Sequence, residues 1–308
     1  MISIDEIKKF YRGRIVLSEH LNAYTSFRIG GPADYYFEPT DREDAIAIIG
    51  YLQSQDVPFV VIGRGSNLLV NDEGFRGAVV NIETGLKSVK IENGGIYVEA
   101  GVALNRFVDI CIQNSLKGVE MLAGIPGTVG GAIIMNAGAY GGEISSVLTE
   151  VEVMRDGNCT VIPKKDIVFS YRHASFLDHD VVIGARFNLP NGNRTEMEKT
   201  RTELLLTRNR KHPVNYPNCG SVFKNRQDAP AAKYIEDAGL KGKQIGKAQI
   251  SEKHANFIIN LGEAKASDVY NLIELVKKTV YEKFGILLEL EVKLLGFSTN
   301  DTPKVKPW

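Results

Sequence analysis

Residues 124–142 read GIPGTVGGAIIMNAGAYGG. Seven of these nineteen residues are Gly, one is Pro126, and most of the others are small or apolar. Such a run lacks the side chains to build a core of its own. Gly tolerates φ values that a Cβ forbids, so the stretch lets backbone N–H groups approach a partner closely. A diphosphate suits that arrangement, because several amide hydrogens can converge on its oxygens. A loose loop or a tight crossing between strands would use the same composition. The surrounding chain has to decide between them.

A second stretch of the same kind lies upstream. The apolar run Phe59–Ile62 has the pattern of a buried strand, and it leads straight into Gly63-Arg64-Gly65-Ser66-Asn67-Leu68-Leu69. This turn is not the dinucleotide fingerprint of a doubly wound sheet, since the third Gly is missing and no helical pattern follows at once. No Gly-Lys-Ser/Thr ending occurs anywhere, which excludes a P-loop.

Around these loops, strand-like and helix-like segments alternate up to about residue 190 and imply an α+β unit. Thr40 and Glu43 form a capping-box pattern ahead of the helical stripe Ala45, Ile46, Ile49 and Leu52. Strands are expected at residues 78–82, 96–99, 147–154 and 181–187. A helix over 102–114 carries Cys111 on its apolar face as core filler. The turn-rich Leu189-Pro190-Asn191-Gly192-Asn193 reads as a domain boundary. Beyond it, Thr195 and Glu198 make a second capping-box pattern opening a helix that ends in Arg208-Asn209-Arg210-Lys211. A helix over 231–238, a strand over 256–260 and a long helix over 267–284 stopped by Gly285 follow. A last strand over 286–295 places Glu289, Glu291 and Lys293 on one face. The expected organisation is therefore 1–190, in two subdomains of about 1–80 and 81–190, then 191–297, then a tail at 298–308.

The chain has 308 residues, enough for two domains. Its 37 basic residues balance 37 acidic ones, so no global field draws nucleic acid or an anionic membrane. No apolar run reaches the roughly 20 residues that span a bilayer. The charged start MISIDEIKKF lacks a signal-peptide core. Cys111, Cys159 and Cys219 are odd in number and scattered, which argues for a reduced, cytoplasmic protein without a disulfide framework. The five histidines (20, 173, 179, 212 and 254) show no metal-ligand spacing.

Read from residue type alone, two Gly-rich loops and a basic, polar cluster after residue 207 suit a phosphorylated cofactor and an anionic substrate meeting in a cleft. Arg172 has the permanent charge and planar fork to stabilise an oxyanion, or to make a surface ion pair. Ser221 can donate a proton, or bond its own backbone. Glu291 can serve the cleft, or lie on a solvated strand face.

Five motifs in order carry a resemblance: GRGSNLL (63–69), GIPGTVGGAIIMNAGAYGGE (124–143), SYRHASF (170–176), CGSVFKN (219–225) and LELEVKLLG (288–296). Together they resemble the UDP-N-acetylenolpyruvoylglucosamine reductase family, over about residues 27–296. The resemblance implies a FAD-binding domain of the vanillyl-alcohol-oxidase type, made of two subdomains, followed by an α+β substrate-binding domain. It implies non-covalent FAD, NADPH as reductant, and reduction of the enolpyruvyl ether of a UDP-sugar in peptidoglycan synthesis. Gly63, Arg64, Gly65, Ser66, Asn67, Leu68, Gly124, Ile125, Pro126, Gly127, Thr128, Asn136, Ala137 and Gly138 would hold the cofactor. Arg172 would steady the enolate-like charge, Ser221 would deliver the proton, and Glu291 rather than Glu289 would be the C-terminal catalytic Glu, protonated or hydrogen-bonded near the enolate and so needing a raised pKa. Tyr140, Lys211, Lys224, Asn225 and His254 would contact substrate or NADPH. The short span from Arg172 to Ser221 resembles the type II branch, which lacks the longer Tyr loop. A flavin oxidase of the same fold, or a non-catalytic nucleotide-binding module, would share the Gly loops without needing the Ser221 and Glu291 motifs.

Overall fold

The apolar run Phe59–Ile62 is a buried strand in a four-stranded sheet, in the order Arg14–His20, Pro32–Glu38, Phe75–Asn81, Phe59–Ile62. The first pair is antiparallel and the other two pairings are parallel. The computed structural model describes residues 2–92 and 95–297, so the expected tail at 298–308 lies outside the described residues. The crossover helix Arg42–Ser54 buries Ala45, Ile48, Ile49 and Leu52. Its cap is Asp41, whose carboxylate accepts from the Asp44 amide, and not the expected Thr40. Thr40 instead donates its own amide and hydroxyl to the buried Asp44 carboxylate.

A second, antiparallel sheet runs Asn158–Pro163, Leu148–Arg155, Val181–Phe187, Gly95–Glu99, Val89–Glu92. The helix Leu104–Gln113 packs Phe107 against Phe187 at 4.8 Å between ring centres and places Cys111 in the same core. Burial pushes the Cys111 thiol up to about 12, so it is inert filler.

The helix Arg194–Lys211 is capped by Asn193, not by the expected Thr195 pair, because Asn193 Oδ1 accepts from the Glu196 amide. Its Met197 and Leu205 join the core of the first unit, and Arg201 pairs with Asp109 of Leu104–Gln113 at 2.8 Å. The turn-rich segment at 189–193 therefore introduces a helix that packs back on the preceding residues.

The C-terminal unit packs the long helix Ala266–Phe284 on a small antiparallel sheet, Gln244–Ile245, Ala248–Ile250, Ile258–Asn260. Val269, Leu272, Ile273, Val276 and Val280 form its buried stripe, and Gly285 ends it at φ +68°. Asp72, far away in sequence, accepts from the amides of Ala266 and Ser267 at 2.7 and 3.0 Å. A remote carboxylate thus satisfies two orphan donors of the helix, a contribution of about 1 kcal/mol.

The last expected strand is shorter than its sequence pattern. Only Lys293–Leu295 is strand, pairing in parallel with Leu68–Val70 next to the first Gly-rich loop. Residues 286–292 run outside any ladder except for a bridge between Leu290 and Phe223. Leu295 is buried with Leu21, Tyr36 and Val79 of the first sheet's core, while Phe27, Ile29 and Leu69 are buried in the C-terminal core. The two units are interleaved where the strands meet. Among the described residues no helix is long and apolar enough to cross a membrane.

Candidate active site

The two Gly-rich stretches meet face to face. A Cβ on Gly63 would lie 2.5 Å from both Oγ1 and Cγ2 of Thr128, and a Cβ on Gly127 would lie 2.9 Å from Ser66 Oγ. Only glycine lets the loops close on each other, and the Ser66 hydroxyl then ties them by donating to Pro126 O at 3.1 Å. Part of the second stretch is not a loop. Thr128 caps a short helix, Val129–Ile134, whose Gly130 backs onto Ala100.

Between the loops lies a cavity of about 340 Å³. Gly63–Leu68, Ile125–Thr128, Ala137 and Gly138 line one side, and Arg172, Ser221 and Glu291 close the other. Segments far apart in sequence therefore converge on one cavity. Gly124 lies behind its loop, on a second cavity of about 240 Å³ shared with Arg64 and Arg201.

Arg172 stands in the turn of the hairpin Phe169–Ser170/His173–Ala174, at φ +55°, a costly conformation for a residue with a Cβ. Its Nε donates to Glu291 Oε1 at 2.9 Å, its Nη2 donates to Gly138 O at 3.1 Å, and its guanidinium lies 4.8 Å from the Tyr171 ring centre. Burial pushes the Glu291 carboxyl above its usual range, against the opposing pull of Arg172 and Lys224. Glu289 does not share the site: its exposed carboxylate pairs with Lys224.

Ser221 sits in a loop held from three sides. Asn218 Oδ1 accepts the Gly220 amide at 2.9 Å. Asn256 accepts the Phe223 amide at 2.9 Å and donates to Phe223 O at 2.8 Å. The Glu291 amide donates to Val222 O at 2.9 Å, which couples this loop to the carboxylate-bearing segment. The Ser221 hydroxyl has no hydrogen bond among the described residues, so it is available to a ligand.

Other expected contacts fall elsewhere. Asn136 is fully buried off the cavity wall, at φ +41°, with its amide donating to Glu143 at 2.8 Å and to Ser170 O at 3.1 Å. It braces the Arg172 hairpin from behind. Lys224 is held by Glu289, and Asn225 accepts the Ala231 amide through its side chain. Tyr140 donates to Leu204 O, His254 packs edge-on against His212, and Lys211 is exposed; none of these lines the cavity.

The sequence reading missed Arg208, His212, Phe257 and Lys293 on the cavity wall. Arg208 and His212 are one helical turn apart, a spacing that could have marked them as sharing a face. His212 stacks on Phe257 at 4.9 Å, and burial with the neighbouring cations Arg208, Lys211 and Lys253 pushes its imidazole down to about 4. It is neutral at ordinary pH.

The loops that wall the cavity offer the backbone donors that the diphosphate of a flavin dinucleotide needs. The amides of Arg64, Gly65 and Ser66 donate to no acceptor among the described residues, and the interlocked glycines leave bare backbone facing the space. The volume falls within the range of small-ligand sites. A family model described as a FAD binding domain matches residues 33–162, and one described as the C-terminal domain of UDP-N-acetylenolpyruvoylglucosamine reductase matches residues 212–295. The UDP-N-acetylenolpyruvoylglucosamine reductase of Caldanaerobacter subterraneus subsp. tengcongensis is 43% identical over 298 residues, covering 96% of this chain and 98% of that protein. That of Lactiplantibacillus plantarum is 41% identical over 294 residues, covering 95% of this chain and 97% of its own. The crystal structure of the Thermus caldophilus enzyme of the same name superposes with a TM-score of 0.79 at 34% identity, covering 93% of this chain and all of that one. By sequence over nearly its whole length, and by fold, the chain belongs to the UDP-N-acetylenolpyruvoylglucosamine reductase family.

Proposed function

We propose that the protein is a FAD-dependent reductase that uses NADPH to convert the enolpyruvyl ether of UDP-N-acetylglucosamine into UDP-N-acetylmuramate for peptidoglycan. The observation that carries this reading is the convergence of Arg172, Ser221 and Glu291 on a cavity walled by two interlocked glycine loops. Gly63–Leu68 and Ile125–Thr128 hold the cofactor, with Ala137 and Gly138 beside it. Bound there, FAD supplies the hydride that adds to the enolpyruvyl methylene carbon.

The residues do the rest. Arg172 is fixed by Glu291, Gly138 and Tyr171, so its charge is oriented before the substrate carboxylate arrives, and it stabilises the negative charge as it develops. Glu291, lifted by burial, can stay protonated beside that carboxylate instead of repelling it. Ser221 delivers the proton to the α-carbon. A hydroxyl is a weak acid, yet an enolate is basic enough to take its proton. Both nucleotide substrates belong to the cytoplasmic pool, where the enzyme would act without a membrane or nucleic-acid partner.

The purified protein should be yellow, bleach anaerobically with NADPH, and recover its colour when the enolpyruvyl nucleotide is added. Protein that takes up no FAD on reconstitution, or that air reoxidises rapidly with no dependence on the nucleotide, would overturn the reading.

A further inference from the structure

Four permanent or near-permanent cations line the main cavity: Arg64, Arg172, Arg208 and Lys293. Arg64 pairs with Glu83 at 3.5 Å, Arg172 pairs with Glu291, and Lys293 has a contact of its own. Arg208 has no acidic partner among the described residues. Its stem packs against the back of the second glycine loop, where a Cβ on Gly124 would stand 2.9 Å from Arg208 Cδ, and the residue reaches the main cavity from there.

The favourable end of a helix does not account for it. Arg210 and Lys211 share the last turn of Arg194–Lys211 and are exposed, so they complement the helix dipole from water. Arg208 is instead drawn partly out of water, and burial pulls its pKa down. A guanidinium in that position costs stability unless an anion meets it. The glycine cradle beside it supplies N–H donors but no formal charge.

We propose that Arg208 is the counter-ion of a diphosphate seated in the main cavity between the Gly63–Leu68 and Ile125–Thr128 loops. The planar fork can bond two phosphate oxygens at once, adding the charge that the backbone donors lack. The diphosphate belongs either to the flavin dinucleotide or to the uridine nucleotide that follows it into the cleft. The proposal rests on the reductase reading for the existence of these ligands.

The test replaces Arg208 with Met, which keeps the stem and removes the charge, and with Lys, which keeps a charge without the fork. For the first source, FAD and riboflavin are titrated into apoprotein by flavin fluorescence; for the second, UDP and uridine are titrated into holoenzyme by perturbation of the flavin spectrum. Arg208→Met should weaken one diphosphate ligand about tenfold or more while leaving its diphosphate-free analogue within twofold. Arg208→Lys should fall between. The melting temperature of the Arg208→Met apoprotein should equal or exceed that of the parent, because an unpaired buried charge has gone. Losses under twofold on both arms, equal losses with and without the diphosphate, or a lowered apoprotein melting temperature would overturn the proposal. If the parent itself binds no FAD, it is the reductase reading that fails.

Discussion

The Asn67 side chain, in the first glycine loop, donates through Nδ2 to the backbone carbonyl of Glu291 at 3.0 Å. The Lys293 amide returns the contact by donating to Asn67 O at 2.9 Å. One residue of the cofactor loop therefore grips the segment that carries the carboxylate, at Glu291 itself and two residues beyond it. Replacing Asn67 with Ala should leave flavin bound but lower turnover by roughly tenfold, the equivalent of the one side-chain hydrogen bond lost in the reactive geometry. Stopped-flow measurement of the oxidative half-reaction checks this. A rate within twofold of the parent would mean that the grip has no part in positioning Glu291.

Ser221→Ala removes the only atom of that side chain able to give a proton. Flavin reduction by NADPH should proceed within about twofold of the parent, whereas reoxidation by the enolpyruvyl nucleotide should fall about 10²–10⁴-fold. Each half-reaction can be followed separately by flavin absorbance. Equal losses in both would assign Ser221 to binding instead of proton transfer.

The raised pKa of Glu291 has a direction that can be read in a pH profile. Its protonated form survives above the usual carboxylate range and is lost as pH climbs through the shifted value. The oxidative half-reaction should therefore slow on the alkaline side of that value. Glu291→Gln, which cannot ionise but can still accept from Arg172 Nε, should abolish that limb and be slower at every pH. A parent profile that is flat on the alkaline side would refute a protonated Glu291.

Gly63→Ala forces a methyl group into Thr128, whose side chain is nearly fully buried and cannot step aside. Overpacking of this kind costs about 1–3 kcal/mol. Thermal unfolding should register that loss, and FAD retention through gel filtration should drop with it. An unchanged melting temperature together with full flavin content would show that the loops can part.

Much of the site was legible because each motif encodes a backbone requirement. Gly63, Gly65 and Gly127 announce close approach before any fold is known, and the loops do interlock. Glu291 and Glu289, two residues apart in one motif, have opposite surroundings, one half-buried with Arg172 and one exposed with Lys224. Arg208 was hidden by its neighbours. Within Arg208-Asn209-Arg210-Lys211 all three cations look alike in composition, and the one-turn spacing to His212 together with packing against Gly124 separates the one that faces the cavity. Asn136 lies off the cavity wall, its Nδ2 donating to Glu143 and to Ser170 O while its buried Oδ1 has no partner among the described residues. The caps at Asp41 and Asn193 were each displaced from the expected residue because a closer Asx side chain reached the free amide first.

The parallel pairing of Lys293–Leu295 with Leu68–Val70 also sets an order of events during synthesis. A chain leaving the ribosome carries both glycine loops early. Until residues 291–295 have emerged it has neither the carboxylate nor the strand that lies beside the first loop. Contacts between such distant segments form late and slowly. A stalled or prematurely ended chain would thus have a flavin cradle with an open flank and an Arg172 without the carboxylate that orients it.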